Sequence, residues 1–240
     1  MSKPLIMVTG AGTGIGAATA QAFVEAGHPL LLLARRREKL EALALPNAVC
    51  RSVDVRDLAA VALAVAEAEA LHGPVDGLIN NAGIAPLARI EDQDPAEWRD
   101  LLAINCLGVM NCMHVVMPGM KARRHGTIIN VSSIAGRKSY PYHDAYGASK
   151  AYVDALTEAA RSSMSGHNVR VIAIVPGLTR SEIASTMLNE EAHAIWAARG
   201  ADIGGGIAAE HVARTMLFAY QLPQDVILQQ LTITPTRQEF

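Results

Sequence analysis

Along this chain, short and mostly apolar runs alternate with longer stretches of helical periodicity. The runs are Leu5-Ile6-Met7-Val8, Leu30–Ala34, Val49–Val53, Asp76–Ile79, Gly126–Val131 and Val169–Val175. They lack a polar residue at every second position, as strands buried on both faces of a sheet do. Between them, Ala17–Ala26, Glu38–Ala44, Leu58–Leu71, most of Pro95–Lys121, Tyr146–Met164 and Ala208–Tyr220 read as helices. Gly27 closes the first and His72-Gly73-Pro74 the third. Val226–Thr234 reads as a last strand. Leu178–Ile207 has mixed periodicity and ends in Gly204-Gly205-Gly206, which predicts a substrate lid hinged by glycines. Six or seven strands alternating with helices, with no break in composition, predict one doubly wound α/β domain spanning 1–240. A ligand then lies across the carboxyl ends of the strands.

Composition narrows the function. Half of the 240 residues are apolar, enough for a sizeable core. A net charge of −2 offers no basic field for nucleic acid. No run approaches the length of a membrane span, so no membrane partner is expected. The start, Met1-Ser2-Lys3-Pro4, has no secretory h-region, and a cytoplasmic protein is expected. Cys50, Cys106 and Cys112 show no metal-ligand spacing and are expected reduced, with no metal.

The chemistry clusters after the strands. The first run leads into Thr9-Gly10-Ala11-Gly12-Thr13-Gly14-Ile15-Gly16 and then a helix. In that context glycines let the backbone approach phosphates, and the helix N-terminus points N–H groups at them. The end of the second strand is where such a fold tests the adenosine ribose. An acid there would bind the 2′-hydroxyl of NAD, but this chain has Ala34 and then Arg35-Arg36-Arg37. That predicts NADP(H), with Arg35 as the phosphate clamp and Arg36 beside it, while at least one of the three arginines solvates the helix start. Asp54-Val55 follows the third strand, and Asp54 either bonds an adenine amino group or caps the helix that begins near Asp57. Asn80-Asn81-Ala82-Gly83 follows the fourth and can bond neighbouring strands or line a crevice; the structural use is at least as good for Asn80. Asn105 stands inside a helix among apolar neighbours, so it needs partners. It bonds a backbone carbonyl of the helix or holds a water in a proton path, the second being favoured once Lys150 is considered. Pro176-Gly177 is followed by Thr179 and Ser181, whose hydroxyls could meet a nicotinamide carboxamide.

Tyr146 and Lys150 are four apart, which puts both on one face of a helix. A phenol of ordinary pKa near ~10 is a poor proton donor at neutral pH. An ammonium one turn away is expected to bring it toward neutrality. Ser133 could donate to the same substrate oxygen. A chance surface pair would show the same Tyr-x-x-x-Lys spacing, so the weight rests on the combination with the other motifs.

That combination resembles the short-chain dehydrogenase/reductase family in its single-domain form. The match runs in order through Thr9-Gly10-x-x-x-Gly14-Ile15-Gly16, Asn80-Asn81-Ala82-Gly83, Asn105, Ser133, Tyr146-x-x-x-Lys150 and Pro176-Gly177. The resemblance implies a seven-stranded Rossmann sheet of order 3-2-1-4-5-6-7 and a catalytic tetrad of Asn105, Ser133, Tyr146 and Lys150. It makes Asp54 an adenine contact, places Asn81, Ala82 and Gly83 beside the cofactor, and has Tyr146 and Lys150 touch it too. It also implies a homotetramer, or homodimer, assembled through the helices around 98–121 and 146–164. Where some NADP-dependent members carry a cation before the second motif glycine, this chain has Thr13. The tail Leu231–Gln238 is similar to a branch of 3-hydroxy acid dehydrogenases, serine dehydrogenases and clavulanic-acid-type aldehyde reductases. The implied reaction moves hydride between nicotinamide and a small carbonyl or secondary alcohol, with Tyr146 as acid or base. Ser133 would orient the oxygen, Lys150 would hold the ribose, and Asn105 would support a water relay. A carboxylate-bearing substrate would want a cation, for which Arg137 and Arg180 are candidates; Tyr140, Tyr142 and His143 are candidate pocket walls. Two rival functions use the same fold. A halohydrin-type lyase would replace Lys150 and fill the glycine loop, and a non-catalytic NADP sensor would lose Tyr146 or Lys150.

Overall fold

The computed structural model describes residues 3–239; Met1 and Ser2, which belong to the start read above as leaderless, lie outside them, as does Phe240. The strands are β1 (Leu5–Thr9), β2 (Leu30–Ala34), β3 (Ala48–Ser52), β4 (Val75–Asn80), β5 (Thr127–Val131), β6 (Arg170–Pro176) and β7 (Gln230–Ile233). They form one sheet of order β3-β2-β1-β4-β5-β6-β7, every neighbouring pair parallel. The chain leaves β1 for β2 and β3, then returns to β4 on the other side of β1. That reversal opens a crevice between β1 and β4 at their carboxyl ends.

The uninterrupted apolar strands are explained by two buried faces. Leu5 and Met7 of β1 meet α3 (Leu58–His72), α5 (Gly108–Arg123) and α6 (Asp144–Ser165). Ile6 and Val8 point the other way, to α1 (Gly14–Glu25) and α8 (Ala209–Gln221), where Phe23, Val212 and Met216 are fully buried. Burying each such side chain is worth about 1.5–3 kcal/mol. Buried polar groups set the register near the site. Asn80 on β4 donates to Asn130 on β5 at 2.8 Å, and Asn130 donates to Thr157 of α6 at 2.9 Å. Asn80 is thus a sheet tie.

Three expectations shift. The helix after β2, α2, is only Arg37–Glu41, because Ala44 turns to φ 48 and ends it. β7 is shorter than the apolar run; ahead of it, the Val226 carbonyl accepts from Arg170 Nη1 at 3.3 Å instead of from a strand neighbour. The helix through Pro95–Arg123 is continuous and, by length and composition, apolar enough to cross a membrane, against the expectation of no such segment. More than half of that window is buried inside the fold, which accounts for its apolar content. This helix comprises α4 (Pro95–Leu102), a π turn at Ala103–Leu107, and α5.

Candidate active site

One cavity of about 700 Å³ runs along the carboxyl ends of the strands, across the β1/β4 crevice. The β1–α1 loop forms one end. Gly10 and Gly14 adopt φ +63 and +53, where a Cβ is strained. A Cβ on Gly10 would stand 2.8 Å from Ala82 Cα, and one on Gly16 would collide with the Gly10 carbonyl oxygen. Thr13 makes no side-chain cap bond and the first turn of α1 holds no acid. By contrast, α3, α4 and α7 (Glu190–Asp202) are capped by Asp57, Asp94 and Asn189. The amides at the start of α1 are therefore open to an anion, and this cradle fits a pyrophosphate.

Gly10, Gly12, Thr13, Gly14 and Ile15 line the cavity as expected. Thr9 and Gly16 do not. Thr9 is buried and its hydroxyl oxygen accepts from the N–H groups of Asn81 (3.0 Å) and Ala82 (3.1 Å). Gly16 lies beneath the loop, where the absence of a side chain lets α1 meet β1. Both shape the loop from behind the cavity wall. Asn81, Ala82 and Gly83 line the opposite side, and Asn81 donates to the carbonyls of Thr9 (3.0 Å) and Gly10 (3.2 Å).

Beyond Ala34 the wall is cationic. Arg35, Arg36 and Lys39 line it, and Arg35 makes no ion pair among the described residues. Arg36 and Lys39 face Glu182 at 3.1 and 3.8 Å. Arg37 turns away to Glu41 at 2.7 Å and is the arginine that solvates the helix. Asp54 and Val55 come next on the wall. Asp57, not Asp54, caps α3, accepting from Ala60 N–H at 3.0 Å. Arg56 instead forks onto Asp54 through Nε (3.0 Å) and Nη2 (2.7 Å) and holds its carboxyl below the usual carboxylate range.

The other end gathers Ser133, Tyr146 and Lys150 on one wall. Ser132, the neighbour, is buried and donates to Lys150 O at 3.2 Å. Ser133 Oγ accepts from Ala135 N–H at 3.2 Å and hydrogen-bonds Tyr146. Lys150 Nζ donates to Val131 O at 2.9 Å and stands 5.8 Å from the centre of the Tyr146 ring. The expected pull of Tyr146 toward neutrality is not found. Burial pushes Tyr146 up to about 12, opposed by its bond with Ser133, and burial brings Lys150 down to about 8. Both groups share a water-poor wall, and desolvation there outweighs an ammonium already hydrogen-bonded to a carbonyl.

Asn105 lies behind this wall, within the π turn. Its Nδ2 donates to Ile84 O (3.0 Å) and Ser149 Oγ (3.1 Å), and its Oδ1 accepts from Ile84 N–H (2.9 Å). The side chain bonds no carbonyl of its own helix; it ties the loop after β4 to α6. Arg137 is also off the cavity, its Nε donating to Asp154 Oδ2 at 2.9 Å. Arg180 is exposed outside the cavity. Tyr142 packs under Arg89, at 5.2 Å from the guanidinium carbon, while Tyr140 and His143 do line the cavity. Pro176, Gly177, Thr179 and Ser181 line it too; the Thr179 hydroxyl donates to Gly177 O at 3.0 Å and Ser181 caps the turn Glu182–Thr186.

Leu178–Ile207 overlies the cavity, its ends pinned by Ile207 N–H to Leu178 O and Arg180 N–H to Ile207 O, both 2.9 Å. It contributes Glu182, Trp196 and Arg199, none of which the sequence reading singled out. Lys39 was missed as well. So was Gln238, whose Oε1 accepts from Leu178 N–H at 2.9 Å. Gln238 ends the tail whose similarity was noted above, without a role read for it, and no periodic or motif signal marks the other four.

The profile of the family described as short chain dehydrogenase matches residues 4–192. Sulfoacetaldehyde reductase 2 of Chromohalobacter salexigens is 34% identical over 241 residues, which are 98% of this chain and 95% of the relative. Among solved structures, the closed form of serine dehydrogenase complexed with NADP+ superposes with a TM-score of 0.91 at 29% identity, covering 98% of this chain and 96% of that one. The chain also matches, at 34% identity over 98% of its length, only 19% of the much longer glycine betaine reductase of Emericella nidulans. Together with the sheet order and the cavity over its switch point, these likenesses show that the chain belongs to the short chain dehydrogenase family and is an oxidoreductase acting on CH–OH groups.

Proposed function

We propose that this protein interconverts a small carbonyl compound and its alcohol with NADP(H), Tyr146 serving as general acid in reduction and general base in oxidation. The observation that carries the reading is the convergence of Ser133, Tyr146 and Lys150 on the cavity that also holds the uncapped α1 N-terminus and the Arg35–Arg36–Lys39 wall. Bound there, the nicotinamide would supply or accept the hydride. The α1 amides would hold the pyrophosphate, Arg35, Arg36 and Lys39 a 2′-phosphate, Asp54 the adenine, and Gly177 to Ser181 the carboxamide. Tyr146 keeps its proton at neutral pH because burial disfavours the phenolate. It is therefore ready to protonate a carbonyl oxygen that Ser133 orients. The Lys150 ammonium stabilises the phenolate left behind. Asn105 acts as a positioning residue, holding α6 against the loop after β4.

The test is a fluorescence titration with NADPH and NADH, comparing wild type with Arg35→Asp. Preferential NADPH binding that weakens about ten-fold or more in the variant supports the reading. Equal binding of both cofactors, unmoved by the substitution, rejects the clamp. The likeness to a serine dehydrogenase complexed with NADP+ and to a sulfoacetaldehyde reductase favours a substrate of the 3-hydroxy acid or aldehyde type. Leu178–Ile207 is proposed to act as the lid. Leu102, Leu107, Met110 and Tyr152, exposed on the long helices, support a homodimer or homotetramer through that face, which light scattering would measure.

A further inference from the structure

Past Tyr146 the cavity continues between the loop Tyr140–His143 and α7. That loop is held under strain: Tyr142 sits at φ 65, which a bulky residue rarely adopts. The consequence is that Tyr140 and His143 both turn toward the cavity. The rings run in a chain, His143 6.0 Å from Tyr146 and Tyr140 5.6 Å from His143. At the far end the Arg199 guanidinium lies over the Tyr140 ring, 5.0 Å from its centre.

Two features of this end call for a ligand. The Tyr140 hydroxyl is buried and has no hydrogen-bond partner among the described residues. A buried hydroxyl in that condition is costly unless something completes it. Arg199, exposed at the cavity, makes neither an ion pair nor a hydrogen bond among the described residues, so its charge is available to a ligand. With its carbon over the ring and no other partner, the guanidinium has its N–H fork free for a bidentate acceptor. His143 adds no competing charge. Its Nδ1 lies 2.8 Å from Pro141 O, so that nitrogen carries the ring proton, and burial favours the neutral imidazole. Asp202, three residues on in α7, also lines the cavity but makes no ion pair with Arg199. Trp196 and Ala192 supply an apolar floor between this end and Tyr146.

We infer that Arg199 and Tyr140 form an anion subsite, which selects a carbonyl or alcohol substrate carrying a carboxylate or sulfonate. This inference rests on the redox reading above and names its substrate class. It replaces the cation expected at Arg137 or Arg180 with Arg199, on the α7 part of the lid, so the anion ties the lid down over the reacting carbon.

The test is calorimetric titration of NADPH-loaded enzyme with 3-hydroxybutyrate, with 2-hydroxyethanesulfonate and with uncharged 1,3-butanediol. Wild type is expected to bind one or both anions about ten-fold or more tighter than the diol. The two anions together tell a carboxylate site from a sulfonate site. Arg199→Gln is expected to remove the preference, Arg199→Lys to restore part of it, and Tyr140→Phe to reduce it. No preference for either anion in wild type, or a preference that Arg199→Gln leaves intact, overturns the subsite. NADPH consumption with acetoacetate, sulfoacetaldehyde and 4-hydroxy-2-butanone judges the redox reading separately. Wild type that oxidises NADPH with none of them counts against that reading, while the binding arms still decide the subsite.

Discussion

Replacing Lys150 by Met should stabilise the protein while crippling it. The side chain is 5% exposed and burial brings its pKa from 10.5 down to about 8. At pH 7 the folded chain carries a desolvated ammonium, and that drop corresponds to about 3 kcal/mol of lost stability. Met fills a similar volume with no charge. The substitution also leaves Val131 O without the donor now 2.9 Å away, which costs about 1 kcal/mol. The net gain is about 2 kcal/mol, or roughly 4–8 °C in melting temperature for a chain of this size. The pH dependence carries the sign. Below about pH 8 both folded and unfolded wild-type chains hold the proton, and the folded one bears the penalty. Between pH 8 and 10.5 the folded chain releases it first, so wild-type stability rises and the advantage of Lys150→Met shrinks. Thermal melts of both proteins at pH 7 and 10 check this, with NADPH turnover measured alongside. A variant that melts at or below wild type at pH 7, or a difference that does not change with pH, would refute the burial argument. Full activity in the variant would refute the role of the ammonium.

Tyr146→Phe should lower kcat by roughly 10²- to 10⁴-fold, the usual worth of a general acid, with NADPH affinity retained in titration; near-normal turnover removes Tyr146 from the chemistry. In reduction, Tyr146 stays protonated far above neutrality, while Lys150 loses its charge through about pH 8. The reductive rate should therefore fall above about pH 8, and a profile flat to pH 10 contradicts the assignment. Gly16→Ala sets a Cβ against the Gly10 carbonyl oxygen and should cost about 1–3 kcal/mol in urea unfolding, with NADPH binding weakened through the displaced loop. Wild-type stability and affinity in that variant would show that the loop has room to spare.

Much of this protein is legible in the chain. Leu5-Ile6-Met7-Val8 and Val171-Ile172-Ala173-Ile174-Val175 are apolar at every position because both faces of a parallel sheet are covered, so strand and fold class follow from local pattern. The glycine loop was legible for a similar reason. Its backbone has to turn at Gly10 and Gly14 and leave no side chain against β4, and few residues meet those demands. Tyr146 and Lys150 share a face through helical spacing alone. What spacing did not reveal was where partners and water would be. Asn105 and Arg137 looked available, but the π turn delivers one to Ile84 and Ser149, and α6 brings Asp154 to the other. The acidity of Tyr146 followed its neighbour Lys150 in the sequence reading, whereas burial decided it in the fold. Arg199 and Lys39 carry no motif and reach the cavity only because the lid and α2 fold over its two ends. Local order thus determines which elements form and what chemistry they carry. Desolvation and contacts between residues far apart in sequence exist only once the sheet and lid are packed, so the tertiary structure alone decided which charges stay free and which protons are held.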